Sequence, residues 1–215
     1  MKGNNYERLR QSYLQKRELI KSRLQEFKGV FEKGDDRRIF EELVFCILTA
    51  GASAKMGLKS VDAIRDILIE GSEKKIYNRL QHTHMYPGRA KYIVHTREYL
   101  KRDYDFKLKE LISSFQDPIE RRDFFATNKD IKGLGYKEAS HFLRNIGFSG
   151  YAILDKHILR SLHEFGIIDN PKPPSTKRKY IEIENRLKGL AKEIGIDFDE
   201  LDLLLWSEKT GEILK

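Results

Sequence analysis

Apolar residues recur along this chain at intervals of three and four, the spacing of an α-helix with one face turned to a core. Leu9, Tyr13, Leu19 and Leu24 mark a first amphipathic segment that runs through about residue 27. Phe40, Leu43, Val44, Ile47 and Leu48 make a second, with Asp35 or Asp36 placed to cap it. A third carries Leu58, Val61, Ile64 and Leu68 and meets a C-cap at Gly71. After the short segment 74–80, Pro87 opens a further helix, and Asp117-Pro118 supplies cap and first turn for 119–126. Ala139, Phe142, Leu143 and Ile146 define the next, and Asp155 caps one that holds Ile158, Leu159 and Leu162 and closes at Gly166. Pro171-Lys172-Pro173-Pro174-Ser175 reads as a linker whose Ser175 caps a basic helix with Tyr180, Ile183 and Leu187, ending at Gly195. The last helix runs from Phe198 to about Lys209 through Leu203-Leu204-Leu205-Trp206 and stops before Gly211. No stretch alternates as a strand does, and no fixed period repeats. The expected fold is all-α.

Length and charge sharpen this picture. The chain has 215 residues, enough for one globular unit or two small subdomains with a proper core. Its net charge of +8 and pI near 9.4 suit a polyanionic partner. No apolar run approaches the roughly 20 residues of a membrane span, and the opening MKGNNYERLRQ lacks a signal-peptide core, so a cytoplasmic place is expected. Cys46, the single cysteine, lies in the apolar run Leu43-Val44-Phe45-Cys46-Ile47-Leu48 and reads as a small core residue. One cysteine excludes a disulfide framework and a four-cysteine iron–sulfur cluster. His82 and His84 have the look of a metal pair but lack further ligands nearby, so no metal is expected.

The candidate chemistry centres on Ile131-Lys132-Gly133-Leu134-Gly135-Tyr136-Lys137-Glu138-Ala139. Two glycines one residue apart sit between helical patterns, and a hairpin there lets amides approach a charged backbone with no Cβ in the way. Ile131 and Leu134 would plug the turn into the core while the Gly133 and Gly135 amides face outward. The helix that follows presents its N-terminus to phosphate, and Lys137 falls in its first turn. Lys137 has two readings: a nucleophilic amine, favoured by partial desolvation and a helix N-terminus, or a charged phosphate ligand. Asp155, eighteen positions on, is either a helix cap alone or a carboxylate that stabilises positive charge on a sugar. His157 can reach a phosphate or pack at the surface. Trp206 and Met85 can flank a flipped base, although a tryptophan is commonly core. Ala50-Gly51-Ala52-Ser53-Ala54-Lys55 suits either close approach to DNA or a helix–helix turn.

Segment 131–155 resembles the helix-hairpin-helix, Gly/Pro-rich loop and aspartate motif of the endonuclease III-like glycosylase superfamily. Residues 132–147, the run Asp155-Lys156-His157-Ile158-Leu159-Arg160, and the ending from Trp206 through Thr210-Gly211-Glu212-Ile213-Leu214-Lys215 resemble one branch, the small archaeal-type 8-oxoguanine DNA glycosylase/lyases. The proline usual before the first glycine is Lys132 here. The resemblance implies that Lys137 is the Schiff-base nucleophile and Asp155 its carboxylate partner. It also implies that Trp206 faces the base and that Lys215 tells 8-oxoguanine from guanine. The architecture it implies has a middle subdomain, 30–150, that ends in the hairpin. A second is built from 1–29 and 151–215, and a DNA-binding cleft lies between them. The expected partner is duplex DNA containing 8-oxoguanine, met by a monomer that needs no cofactor. Two other readings stay open: a glycosylase for another lesion, and a non-catalytic DNA-binding protein with no use for both Lys137 and Asp155.

Overall fold

The structure, a computed structural model, describes residues 2–213, with side chains from residue 5 onward. In chain order the α-helices are α1 (Lys2–Lys33), α2 (Asp36–Thr49), α3 (Ala54–Ile64), α4 (Glu73–Leu80), α5 (Ala90–Tyr104) and α6 (Leu108–Ser114). They continue as α7 (Pro118–Thr127), α8 (Tyr136–Asn145), α9 (Lys156–Glu164), α10 (Lys177–Ile194) and α11 (Phe198–Thr210). There is no strand among the described residues, and none of their helices is long and apolar enough to cross a membrane. The fold is all-α.

The chain divides into two compact units: Gly29–Ile146, and Met1–Lys28 together with Gly147–Lys215. At the centre of the first unit stands α2, buried on every side from Ile39 to Thr49, as a helix must be when apolar residues surround its axis. Asp35 caps it by accepting the Arg38 N–H at 2.8 Å. Helix α3 approaches α2 closely at Gly57, where an added Cβ would stand 2.4 Å from Thr49 Cγ2. Cys46 is fully buried in α2, and that burial, with Glu42 beside it, pushes its thiol well above the usual range. Phe125 of α7 and Phe142 of α8 meet edge to face at 4.9 Å, so the two helices that flank the hairpin share one core.

In the second unit α1 lies along α10 and α11. Tyr6 Oη donates to Glu193 at 3.4 Å, Arg10 Nε donates to the Ile194 carbonyl at 3.1 Å, and Lys16 Nζ donates to Ser207 Oγ at 3.2 Å. The buried stripe of α1 is Tyr6, Leu9, Ile20 and Phe27, whereas Leu19 is exposed. The stripe through Leu19 expected from sequence is therefore corrected by one position, because consecutive helix residues lie on different faces. Two other expectations shift. Thr176, not Ser175, caps α10 by accepting the Lys179 N–H at 3.2 Å. The helix expected from Pro87 begins as a 3₁₀ turn, Pro87–Arg89, before α5. Helix α6, seven residues long, gave no signal strong enough to separate it from its neighbours.

Two glycines give opposite expectations. Gly57→Ala forces α3 off α2 and lowers stability by about 1–3 kcal/mol. Gly189→Ala, inside α10 with open space around the new Cβ, raises it by about 0.5–1 kcal/mol. Thermal melting of the two variants reads both signs.

Candidate functional site

The turn between α7 and α8 is built from side chains that serve its backbone. Asn128, at the end of α7, accepts the Asp130 N–H on its Oδ1 at 2.9 Å and donates from Nδ2 to Tyr99 Oη at 2.8 Å. Thr96 Oγ1 accepts the Lys132 N–H at 2.9 Å. Ile131 is buried and plugs the turn into the core, while Leu134 is only half-buried, so the expected pair of plugs reduces to one. Gly133 has φ +82°, and a Cβ there would press on Tyr92 and Ile47 at 3.1 and 3.3 Å. Only glycine meets both demands. Gly135 is extended, with φ −112°, and caps α8. Both glycines are exposed, which leaves their surface open to a ligand.

Lys137 stands in the first turn of α8 with its side chain 27% exposed, and its Nζ lies 2.9 Å from Glu138 Oε1. The other oxygen of Glu138 accepts the Gly135 N–H at 3.3 Å, the reach-back of an N3 glutamate onto its N-cap. Tyr136 ties the start of α8 to α7 by donating its hydroxyl to the Asp123 carboxylate. Its phenol is pushed up by burial and by that bond.

In the other unit Asp155 is the N-cap of α9. Its Oδ1 accepts the N–H groups of His157 and Ile158 at 2.8 and 2.9 Å. Oδ2 accepts no hydrogen bond among the described residues, so capping uses one oxygen of the carboxylate. The segment ahead of it is neither helix nor strand, and four side chains pin it. Asp199 accepts the Gly150 N–H at 2.9 Å, Glu184 the Ala152 N–H at 2.9 Å, and Asp202 the Ile153 N–H at 3.2 Å. Tyr180 Oη accepts the Leu154 N–H at 3.4 Å and donates to the Ala152 carbonyl at 2.6 Å. Glu184 and Asp202 are buried, and two buried carboxylates spent on backbone amides hold this segment firmly. The sequence signal for Asp202 was a lone charge inside Leu201-Asp202-Leu203-Leu204-Leu205.

Trp206 is the one residue of that apolar run in α11 that is not fully buried, and His157 is half-buried beside the Asp155 cap. Met85 is 56% exposed, next to exposed Tyr86, in the unit that carries the hairpin. The loop that presents them is held by His84, whose Nε2 meets the Leu48 carbonyl at 2.7 Å and whose Nδ1 accepts the Tyr86 N–H at 2.9 Å. Both ring nitrogens are engaged, which leaves His84 none for a metal. Arg89 adds a bond to the Ala50 carbonyl at 2.6 Å. Segment 50–53 is a helix–helix turn, with Ser53 capping α3. Lys215 lies outside the described residues.

A helix-hairpin-helix turn with exposed glycines and an amine at the head of the next helix define a class: helical proteins that handle nucleic-acid backbones. A family model described as 8-oxoguanine DNA glycosylase matches residues 20–196. Over 201 residues the chain is 39% identical to the 8-oxoguanine DNA glycosylase/AP lyase of Methanocaldococcus jannaschii, a match that covers 93% of each chain. The crystal structure of the 8-oxoguanine DNA glycosylase of Thermotoga maritima superposes with a TM-score of 0.89 at 33% identity, covering all of both chains. The Methanocaldococcus jannaschii enzyme in complex with a 15mer DNA containing 8-oxoguanine gives a TM-score of 0.84 at 39% identity, over 93% of each chain. The chain belongs to the 8-oxoguanine DNA glycosylase family.

The pinned segment before Asp155 yields a direct expectation. Asp202→Ala strips the acceptor from the buried Ile153 N–H and costs about 1–3 kcal/mol. Asp202→Asn keeps a carbonyl acceptor and costs less. Denaturant midpoints of the two variants measure the difference.

Proposed function

We propose that this protein is a DNA glycosylase/AP lyase that removes 8-oxoguanine from duplex DNA and then nicks the strand. The observation that carries the reading is the part-exposed Lys137 side chain in the first turn of α8, directly behind the exposed Gly133–Gly135 hairpin. Family membership and the 8-oxoguanine-containing DNA in the related complex support it. Backbone phosphate is received at the Gly133 and Gly135 amides, with His157 as a further contact. The neutral Lys137 amine attacks C1′ as the C1′–N9 bond breaks, and the base leaves with that electron pair and takes up a proton. The nitrogen sheds its proton and the sugar ring opens to a Schiff base. Loss of a C2′ proton then expels the 3′ phosphate by β-elimination. The free oxygen of Asp155 faces the positive charge that gathers on the sugar as the base departs. The extruded base stacks on Trp206, with Met85 on its other face. The protein works as a monomer in the cytoplasm, without cofactor or metal.

Borohydride trapping on oligonucleotides with different lesions tests the enzyme against a mere binder and one lesion against another. Lys137→Gln keeps duplex binding and loses both excision and the trapped adduct. An adduct that persists through another lysine removes Lys137 from this role. Asp155→Asn keeps the cap, since Asn caps about as well as Asp, yet loses turnover by orders of magnitude. Near-normal single-turnover rates would return Asp155 to capping alone.

Lesion choice rests on N7, an acceptor in guanine and an N–H donor in 8-oxoguanine. An acceptor aimed at N7 pairs with the lesion and is left unsatisfied by the normal base. We assign this reading to the segment that ends in Lys215. Deleting Lys215 therefore impairs excision of 8-oxoguanine much more than cleavage at a pre-formed abasic site. Equal losses on the two substrates, or none, would remove the tail from recognition.

A further inference from the structure

Glu138 has no part in the scheme above, yet it touches two of its components. Its Oε2 accepts the Gly135 N–H at 3.3 Å, and its Oε1 lies 2.9 Å from Lys137 Nζ. Consecutive helix residues point roughly 100° apart and do not ordinarily face each other. Their meeting here requires the lysine to lean toward a carboxylate that the hairpin amide already anchors. The Glu138 side chain is only 15% exposed, so this pair is more shielded than an ordinary surface ion pair. Glu138 thus joins the expected nucleophile and an expected phosphate-binding amide through one side chain.

We propose that Glu138 is a positioning residue that tethers Lys137 to the hairpin in the DNA-free protein and is displaced by the phosphate that binds at Gly135. The inference rests on the reading of the hairpin as a phosphate site and of Lys137 as the nucleophile. At the Gly135 amide the Glu138 carboxylate occupies the place of a phosphate oxygen, with the same sign of charge and the same hydrogen bond. Two anions repel at one N–H group, and the phosphate is backed by every other contact of a bound duplex. Glu138 then turns away from Gly135, its hold on Nζ loosens, and the amine is released toward the sugar. Until DNA arrives, the ion pair keeps a reactive amine from condensing with stray carbonyl compounds, because a paired ammonium has no lone pair to offer. The chemical class that opens the tether is a phosphodiester of the substrate strand.

Two measurements on the full chain test this, with Glu138→Gln as the variant. Glutamine also suits this position, since its carbonyl can accept the Gly135 N–H, and thermal melting verifies that the fold is kept. Reductive methylation by formaldehyde and a borohydride donor is followed lysine by lysine by mass spectrometry, without DNA. Lys137 of the variant reacts about threefold faster than in the unaltered protein, while other lysines keep their rates. Affinity for undamaged duplex at low salt is then compared with that of Glu120→Gln, which removes the same charge from an exposed position of the same unit. Glu138→Gln binds about threefold tighter than this control. Unchanged methylation at Lys137, or binding no tighter than the control, overturns the tether. Failure of the underlying reading looks different: the unaltered protein would not bind duplex, or Lys137→Gln would still form the trapped adduct.

Discussion

Buried backbone must find hydrogen-bond partners, and in an all-helical chain the helices meet this demand for themselves. The constraint falls on the segments between them. The turn at 128–135 and the segment at 150–154 have no strand to pair with, so side chains close their amides. Asn128, Thr96 and Glu138 serve the first; Asp199, Glu184, Asp202 and Tyr180 serve the second. Those two segments lead directly into the helix starts that hold Lys137 and Asp155. The residues proposed for chemistry therefore stand at helix starts that follow irregular backbone held by side chains, a way to fix where each helix begins.

Much of this was legible in the sequence because the relevant physics is local. Helices declare themselves by spacing, and caps by small polar residues, so α2, α7, α9 and α11 stand close to where periodicity put them. Gly133 was legible because a positive φ leaves one choice of residue. Gly135 is a different case. Its backbone is extended and its surroundings tolerate a Cβ, so conformation does not explain a glycine there.

What sequence could not give is long-range. Whether Leu19 or Ile20 turns inward depends on what packs against α1, and the helices that bond to it, α10 and α11, begin more than 150 residues away. Glu184 looks like an ordinary surface acid of an amphipathic helix until the amide of 152 is found against it. The half-buried state of Trp206, beside fully buried Leu205 and Ser207, is likewise a property of the assembled unit. The grip of Glu138 on Lys137 is of the same kind, because adjacent helix residues are expected to diverge.

The fully buried Cys46 bears on endurance. Sulfur is attacked as thiolate, and by solutes that can reach it. Here the thiol is kept protonated by its dry surroundings and walled in on every side of α2. The chain belongs to a family named for an oxidised base, and the oxidants that make such a base also consume exposed thiols. A chain whose only sulfhydryl is sealed in its core has no cysteine that oxidants can readily reach, so it should keep its thiol under the conditions that create work for its family.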